Sequence, residues 1–259
     1  MKNERLGEEN CNNFGTLMKI IVYNNVGDIW VEFQDEYKTK VHAQYGDFKK
    51  GKIKNPYDKN AYNIGYLGKG KYCVTVNGKV TKVYKVWRDM LKRCYDPYFL
   101  NEHPTYRDCI VCEEWHNFQN FASWWEDNLY ECNNEKMCLD KDILIKGSKI
   151  YSPKTCMFVP EKINTLIIKC DSSRGEYPIG VSYDKQKNKL MVRCNIFKTN
   201  KEKIYKFLGY FPINKPFQAF TCYKNFKENY IKQIADEYKE LMPQRVYDAL
   251  YKYEIEIND

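Results

Sequence analysis

Short hairpins and amphipathic helices alternate along this chain, which predicts an α+β protein: small antiparallel β modules around a central ββα unit, with a C-terminal three-stranded sheet packed on a helix. Three stretches carry that prediction. Asn77-Gly78, set between apolar runs, favours the positive φ angles of a type I′ turn and marks a hairpin. Met137 to Ile168 reads as strand, loop, strand, helix. From Lys189 to Phe197, Leu190, Val192, Cys194 and Ile196 fall on one face and Lys189, Met191, Arg193 and Asn195 on the other, the period of a half-buried strand.

The 259 residues include 43% hydrophobic and 16% aromatic side chains, enough for two or three small cores and too many for a disordered chain. Lys plus Arg number 42 against 34 Asp plus Glu, a net charge of +8 that favours a polyanionic partner. Eleven cysteines, an odd number with no signal peptide ahead of them, point to reduced thiols in a cytoplasm and against a disulfide framework. No apolar run is long enough to cross a membrane.

Taken in order, the opening MKNERLGEENCN is polar and expected to fray, with structure beginning at Thr16. Met18, Ile20 and Val22 alternate, as do Ile29, Val31 and Phe33, with turn residues from Asn24 to Asp28 between them. Phe48 to Pro56 holds Lys49, Lys50, Lys52 and Lys54 beside an aromatic, and reads equally as a phosphate-contacting loop or a solvated lysine cluster. The hairpin at Asn77-Gly78 closes a β-rich module over 1–80. Val83, Val86, Trp87, Met90 and Leu91 then recur at helical spacing over 82–95, leaving Lys85, Arg88, Lys92 and Arg93 on the outer side. Asp96-Pro97 ends that helix. A loop through His103-Pro104 leads to a second helix over about 113–129, where Trp115, Phe118, Phe121, Ala122, Trp125 and Leu129 form a core stripe and His116 a surface position.

In the central stretch, Leu139, Ile143 and Ile145 with Asp140 and Asp142 among them suit a short strand that ends near a turn at Lys146-Gly147-Ser148. Ser152-Pro153 forces another turn, Cys156 to Val159 is a short apolar run, and Pro160-Glu161 opens a helix that places Asn164 one turn in. Leu139, Asp140, Gly147, Tyr151-Ser152-Pro153, Cys156 and Asn164 resemble the ββα-metal site of the HNH-type homing-endonuclease relatives of bacteriophages. Trp87, Met90, Arg93-Cys94-Tyr95, Val111-Cys112, Glu114-Trp115, Phe118 and Phe121 extend the resemblance upstream, so that it runs from about Tyr84 to Ile168.

The resemblance implies a catalytic set of Asp140, Lys141, Thr155 and Asn164, with Asp140 and Asn164 as ligands of Mg²⁺ or another divalent cation. Two positions depart from the family. Lys141 stands where the general-base His is found, and Thr155 where a middle Asn is found. Metal-dependent phosphodiester hydrolysis needs a base to take a proton from water, and an ordinary lysine is protonated at neutral pH. The three histidines, His42, His103 and His116, all lie outside the unit. Cleavage is therefore expected to be weak or absent. Cys109 and Cys112 form the only Cys-x-x-Cys pair, and completing a zinc site would require two of Cys132, Cys138 and Cys156; packing ahead of a helix is the favoured role for the pair.

Asp171 to Gly175 reads as a linker. Beyond it, Tyr177-Pro178-Ile179-Gly180-Val181, the hairpin to Lys189–Phe197, Phe207-Leu208-Gly209-Tyr210-Phe211 and a following helix resemble the ethylene-response-factor type of DNA-binding domain over roughly 176–240. The family lays a three-stranded sheet in the major groove, backed by one helix. Here Lys185, Lys187, Lys189, Arg193, Asn195 and Lys198 are the candidate DNA contacts, with Lys201 and Lys203 framing the same surface. Arg and Asn can pair bidentately with guanine and adenine edges, and Lys can neutralise phosphates.

A helix over 217–241 carries a stripe of Phe220, Tyr223, Phe226, Tyr230, Ile231, Ile234 and Tyr238. Pro243 breaks it, a short helix follows over 245–251, and the alternating tail at Tyr253 to Ile257 is expected to fold back, since an exposed strand of that character invites pairing. Three modules result, over 1–80, 81–170 and 176–259. The expected function is a phage-encoded DNA-binding protein on an HNH-like scaffold, acting in the cytoplasm of an infected bacterium. Two alternatives stay open: a counter-defence or regulatory protein that binds and inhibits a host protein, and an active metal-dependent nicking endonuclease.

Overall fold

A computed structural model of the chain describes residues 5–167, 175–198, 202–257 and 259. It is mixed α+β, and its contacts divide the chain into two compact units, Met1–Asp127 with Lys149–Ser152, and Asn128–Ser148 with Pro153–Asp259.

In the first unit, β1 (Glu9–Cys11), β2 (Leu17–Asn25), β3 (Asp28–Phe33) and β4 (Lys40–Ala43) form an antiparallel sheet in chain order. Met18, Ile20, Ile29, Val31 and Phe33 are buried on its inner face, as their alternation requires. Order begins well before Thr16. Glu9–Cys11 pairs with Leu17–Lys19, and the buried Asn12 fixes the turn between them by accepting the amides of Phe14 and Thr16 while donating to Asp58. The short helix α1 (Tyr45–Lys49) buries Phe48 in this core, so the lysine-rich loop has no aromatic at its surface, and Lys49 is paired with Glu8.

β5 (Thr75–Val76) and β6 (Lys79–Val80) are the expected hairpin, with Asn77 and Gly78 at φ of 49° and 72°. Thr81 then caps α2 (Lys82–Tyr95), accepting from the Tyr84 amide, and Trp87, Met90 and Leu91 are buried along it. Arg93 departs from the expected outer position. It follows Met90 by three residues, which brings it to the inner side, where it is hydrogen-bonded to the Tyr151 hydroxyl. Asp96 caps a further helix, α3 (Pro97–Glu102), instead of opening a loop. The second aromatic helix starts later than expected, as a 3₁₀ turn at Glu113–His116 followed by α4 (Phe118–Asn128). Trp115, Phe118, Phe121 and Ala122 are buried, but Trp125 is half-buried and Leu129 exposed. His116 is half-buried as well, with Nε2 at 3.1 Å from the Val111 carbonyl. β7 (Ile110–Val111) pairs in parallel with β9 (Ile150–Tyr151).

The second unit joins the ββα segment and the C-terminal sheet in one core. β8 (Met137–Asp140) pairs antiparallel with β10 (Met157–Pro160), and α5 (Glu161–Ile167) follows directly. β11 (Val181–Asp184), β12 (Lys189–Phe197) and β13 (Lys203–Phe211) form the antiparallel sheet, with α6 (Pro216–Glu237) against one face and α7 (Gln244–Tyr251) packed on α6. Val159 and Ile163 belong to the same cluster as Leu190, Val192, Ile231, Ile234 and Leu250. Each such side chain, fully buried, contributes about 1.5–3 kcal/mol. The expected division after residue 170 therefore falls inside this unit. Asp171–Arg174 and Lys201 lie outside the described residues.

The tail folds back without forming a strand. Tyr253 and Ile255 are buried, and the Ile255 amide and carbonyl are taken by Glu228 and Lys224 of α6. Among the described residues no helix is long and apolar enough to cross a membrane.

Candidate nucleic-acid interface

The strand expected to run through Ile143 and Ile145 stops at Asp140. Its Oδ1 accepts the backbone amides of Asp142 and Ile143, both at 2.8 Å, so the carboxylate turns the chain out of the strand. Burial pushes the Asp140 carboxyl above the usual carboxylate range, opposed by those two amides. Ile143 drops into the core and Ile145 is left exposed.

Lys141 is turned inward. It is buried, with Nζ 2.9 Å from Asp142 Oδ2 and 2.5 Å from the Ser148 carbonyl, so its ammonium ties the two ends of the loop together. Thr155 is buried beside Cys156, with Oγ1 3.9 Å from its Sγ. Asn164 lies at the fourth position of α5, half-buried, and its amide makes no hydrogen bond among the described residues. Asp140 stands opposite Met157 across the hairpin, and α5 packs on β8, so Asp140 and Asn164 belong to one small assembly. For a divalent cation this is a thin donor set: one carboxylate already engaged by two amides, one amide side chain, and an ammonium on the neighbouring residue. No three His, Cys, Asp or Glu side chains converge as metal ligands among the described residues. Cys109 is buried and Cys112 half-buried, and the described cysteines are all thiols.

The sheet presents a different chemistry. Leu190, Val192 and Cys194 are buried against α6, while Lys189, Arg193 and Asn195 are exposed on the opposite face, as the alternation requires. The Arg193 and Asn195 side chains make no hydrogen bond or ion pair among the described residues. Arg193 instead lies over the Tyr205 ring, 4.9 Å from its centroid. Lys185 and Lys187 project from the turn before β12, and Lys198 extends beyond its end, paired with Glu202 at 3.2 Å. Asp184 shares the face. It accepts from the Tyr210 hydroxyl at 2.9 Å, which holds its carboxyl below the usual range.

The residues that sequence reasoning missed lie on β13. A register shift after Val192 leaves Leu208 as an extra residue, so that Arg193 stands opposite Phe207, Asn195 opposite Tyr205, and Met191 opposite Tyr210. Tyr205, Phe207 and Tyr210 are 66%, 52% and 39% exposed, and the last two rings meet at 5.0 Å. The outer face thus pairs a polar row with an aromatic row. Lys227, on the buried side of α6, was also missed. The signal for it was a lysine inside an otherwise apolar stripe, four residues after Tyr223.

Compared with known proteins, the chain matches no family model, no curated protein and no solved structure.

Proposed function

We propose that this protein binds DNA through the outer face of the β11–β13 sheet, and that the ββα segment serves as a structural element with little or no cleavage. The observation that carries the reading is the solvent-facing row of Lys189, Arg193 and Asn195, its Arg and Asn held by no other polar group among the described residues. Donors left unsatisfied on a rigid strand are available for phosphates and base edges. The resemblance to the ethylene-response-factor domain agrees in strand order and in the helix behind the sheet. The resemblance to phage HNH endonucleases agrees in the order β8, β10, α5, and it suggests an origin in a phage or mobile element acting in a bacterial cell.

Fluorescence anisotropy with a labelled duplex at two salt concentrations tests the first part. Affinity should fall steeply with salt, and Lys189→Ala should lower the salt slope by about 1. If Lys189→Ala and Arg193→Ala both left affinity and slope unchanged, the sheet would not be the contact surface. Supercoiled plasmid with Mg²⁺ or Mn²⁺ tests the second part. No nicking is expected, because Lys141 places a buried ammonium where a base would act. Nicking that vanished in Asp140→Ala and Asn164→Ala would overturn that. Lys141→His combined with Thr155→Asn should raise activity if the segment keeps its family geometry.

One observation favours a second reading, in which the same face docks on a host protein and inhibits it. Exposed aromatics beside Arg are typical of interface centres, and Tyr205, Phe207 and Tyr210 supply them. A partner that stays bound after complete nuclease digestion, and is lost in Tyr205→Ala, would select this reading.

A further inference from the structure

The C-terminal sheet is open along part of one edge. Among the described residues β11 pairs with Lys189–Val192 of β12, and the Arg193 amide adds one bond to the Gly180 carbonyl at 3.0 Å. Beyond that point Arg193–Phe197 border a cleft whose other walls come from 177–183, from Thr165 and Leu166 of α5, and from Tyr223 and Lys227 of α6. Its shape depends on a close approach: Gly180, at a φ of +78°, sits so near the Tyr223 ring that any Cβ would collide with it.

Among the described residues the cleft is lined by three cations, Arg193, Lys203 and Lys227, and by no carboxylate. Lys227 carries the most information. It is only 8% exposed, and it makes no hydrogen bond or ion pair among the described residues. Burial lowers its pKa; the Cys194 thiol opposes that shift and Lys203 adds to it. An unpartnered ammonium at a buried position is costly, and a methionine would fill the same space without that cost. The arrangement is economical only if an anion completes it. Tyr177 and Tyr205 add aromatic surface to the same cleft.

We propose that this cleft is a phosphate-binding site, in which Lys227 and Lys203 hold one phosphate group with Asn195 at the rim, the group belonging either to a free nucleotide or to a nucleic-acid strand. The site does not depend on duplex binding by the outer face, because its deepest ligand, Lys227, belongs to the helix behind the sheet.

The test uses the full chain and three probes: inorganic phosphate, thymidine 5′-monophosphate, and a short oligonucleotide with and without a 5′-phosphate. Melting and calorimetric titration are compared with sodium chloride at matched ionic strength. Phosphate should stabilise the parent protein. Lys227→Met should melt no lower than the parent without ligand, and should bind phosphate at least about tenfold more weakly, the scale of one buried charged hydrogen bond. Lys203→Met, an exposed position with little risk to folding, should weaken binding in the same direction. Tighter binding of the nucleotide than of phosphate assigns the site to free nucleotides; a preference for the 5′-phosphorylated strand assigns it to strand ends. The proposal is overturned if the parent responds to phosphate no more than to chloride, or if Lys227→Met and Lys203→Met both bind it as the parent does. Weakened duplex binding in Lys189→Ala, an outer-face position away from the cleft, alongside an intact phosphate response would separate failure of one reading from failure of the other.

Discussion

The loop after β8 and the outer face of β12 hold the same kinds of side chain in opposite conditions. In the loop, Asp140 spends an oxygen on two backbone amides and Lys141 is buried on Asp142 and the Ser148 carbonyl, so both charges are consumed in holding the chain. On the strand, Arg193 and Asn195 point to solvent with their polar atoms unclaimed among the described residues. Residue type alone does not separate a site from a scaffold; whether the hydrogen-bonding capacity is already used does.

The sharpest way to break the comparison is through the core that both regions share. Leu190→Ala should cost about 2–5 kcal/mol. Because Val159, Ile163 and Leu190 belong to one cluster, the ββα segment and the sheet should lose structure in a single transition. Chemical denaturation followed by hydrogen exchange at both places would show it, and two separable transitions, or a proteolytic cut near 170–176 leaving two stable fragments, would restore the three-module division.

Next come the charged groups themselves. Lys141→Met leaves the Ser148 carbonyl without its ammonium and should cost about 1–3 kcal/mol of stability with no change in DNA affinity. Arg193→Ala should do the reverse, staying within about 0.5 kcal/mol in stability while losing about 1–3 kcal/mol in binding. Equal effects from the two on binding would erase the distinction between consumed and available charge.

The smallest effect is a pH dependence. The folded-state pKa of Asp140 is raised above its unfolded value, so the folded state binds the extra proton as pH falls through the folded pKa. Its contribution is therefore least favourable above the folded pKa, and improves as pH falls toward the unfolded value of 3.8. Asp140→Asn keeps the oxygen that accepts the two amides and carries no charge. It should match or exceed the parent in melting temperature at neutral pH, and that advantage should shrink on acidification.

Much of this was legible beforehand where a period governs. The two faces of β12 follow directly from a repeat of two, and the Asn77-Gly78 turn from its φ requirement. Lys141 was not legible as buried, because a loop position has no period to declare its side; only the pull of the Ser148 carbonyl and Asp142 turns it inward. Arg93 could be read as surface only while the helical stripe was drawn too narrowly, and Lys227 was passed over because a lysine was counted as a gap in the stripe of α6. The pairing of Glu9–Cys11 depends on the side chain of Asn12 meeting Asp58, a contact between residues far apart in the chain.

The extra residue at Leu208 shifts the phase of β13. Phe207 and Tyr210 are three apart, an odd spacing that a regular strand would send to opposite sides, yet here they lie together on the solvent side. The bulge therefore keeps the two halves of the strand in the same phase of display despite the extra residue. Removing Leu208 alone would leave Phe207 and Tyr210 two apart, the spacing at which a regular strand keeps both on one side, so the aromatic row would survive while the bulge itself would vanish.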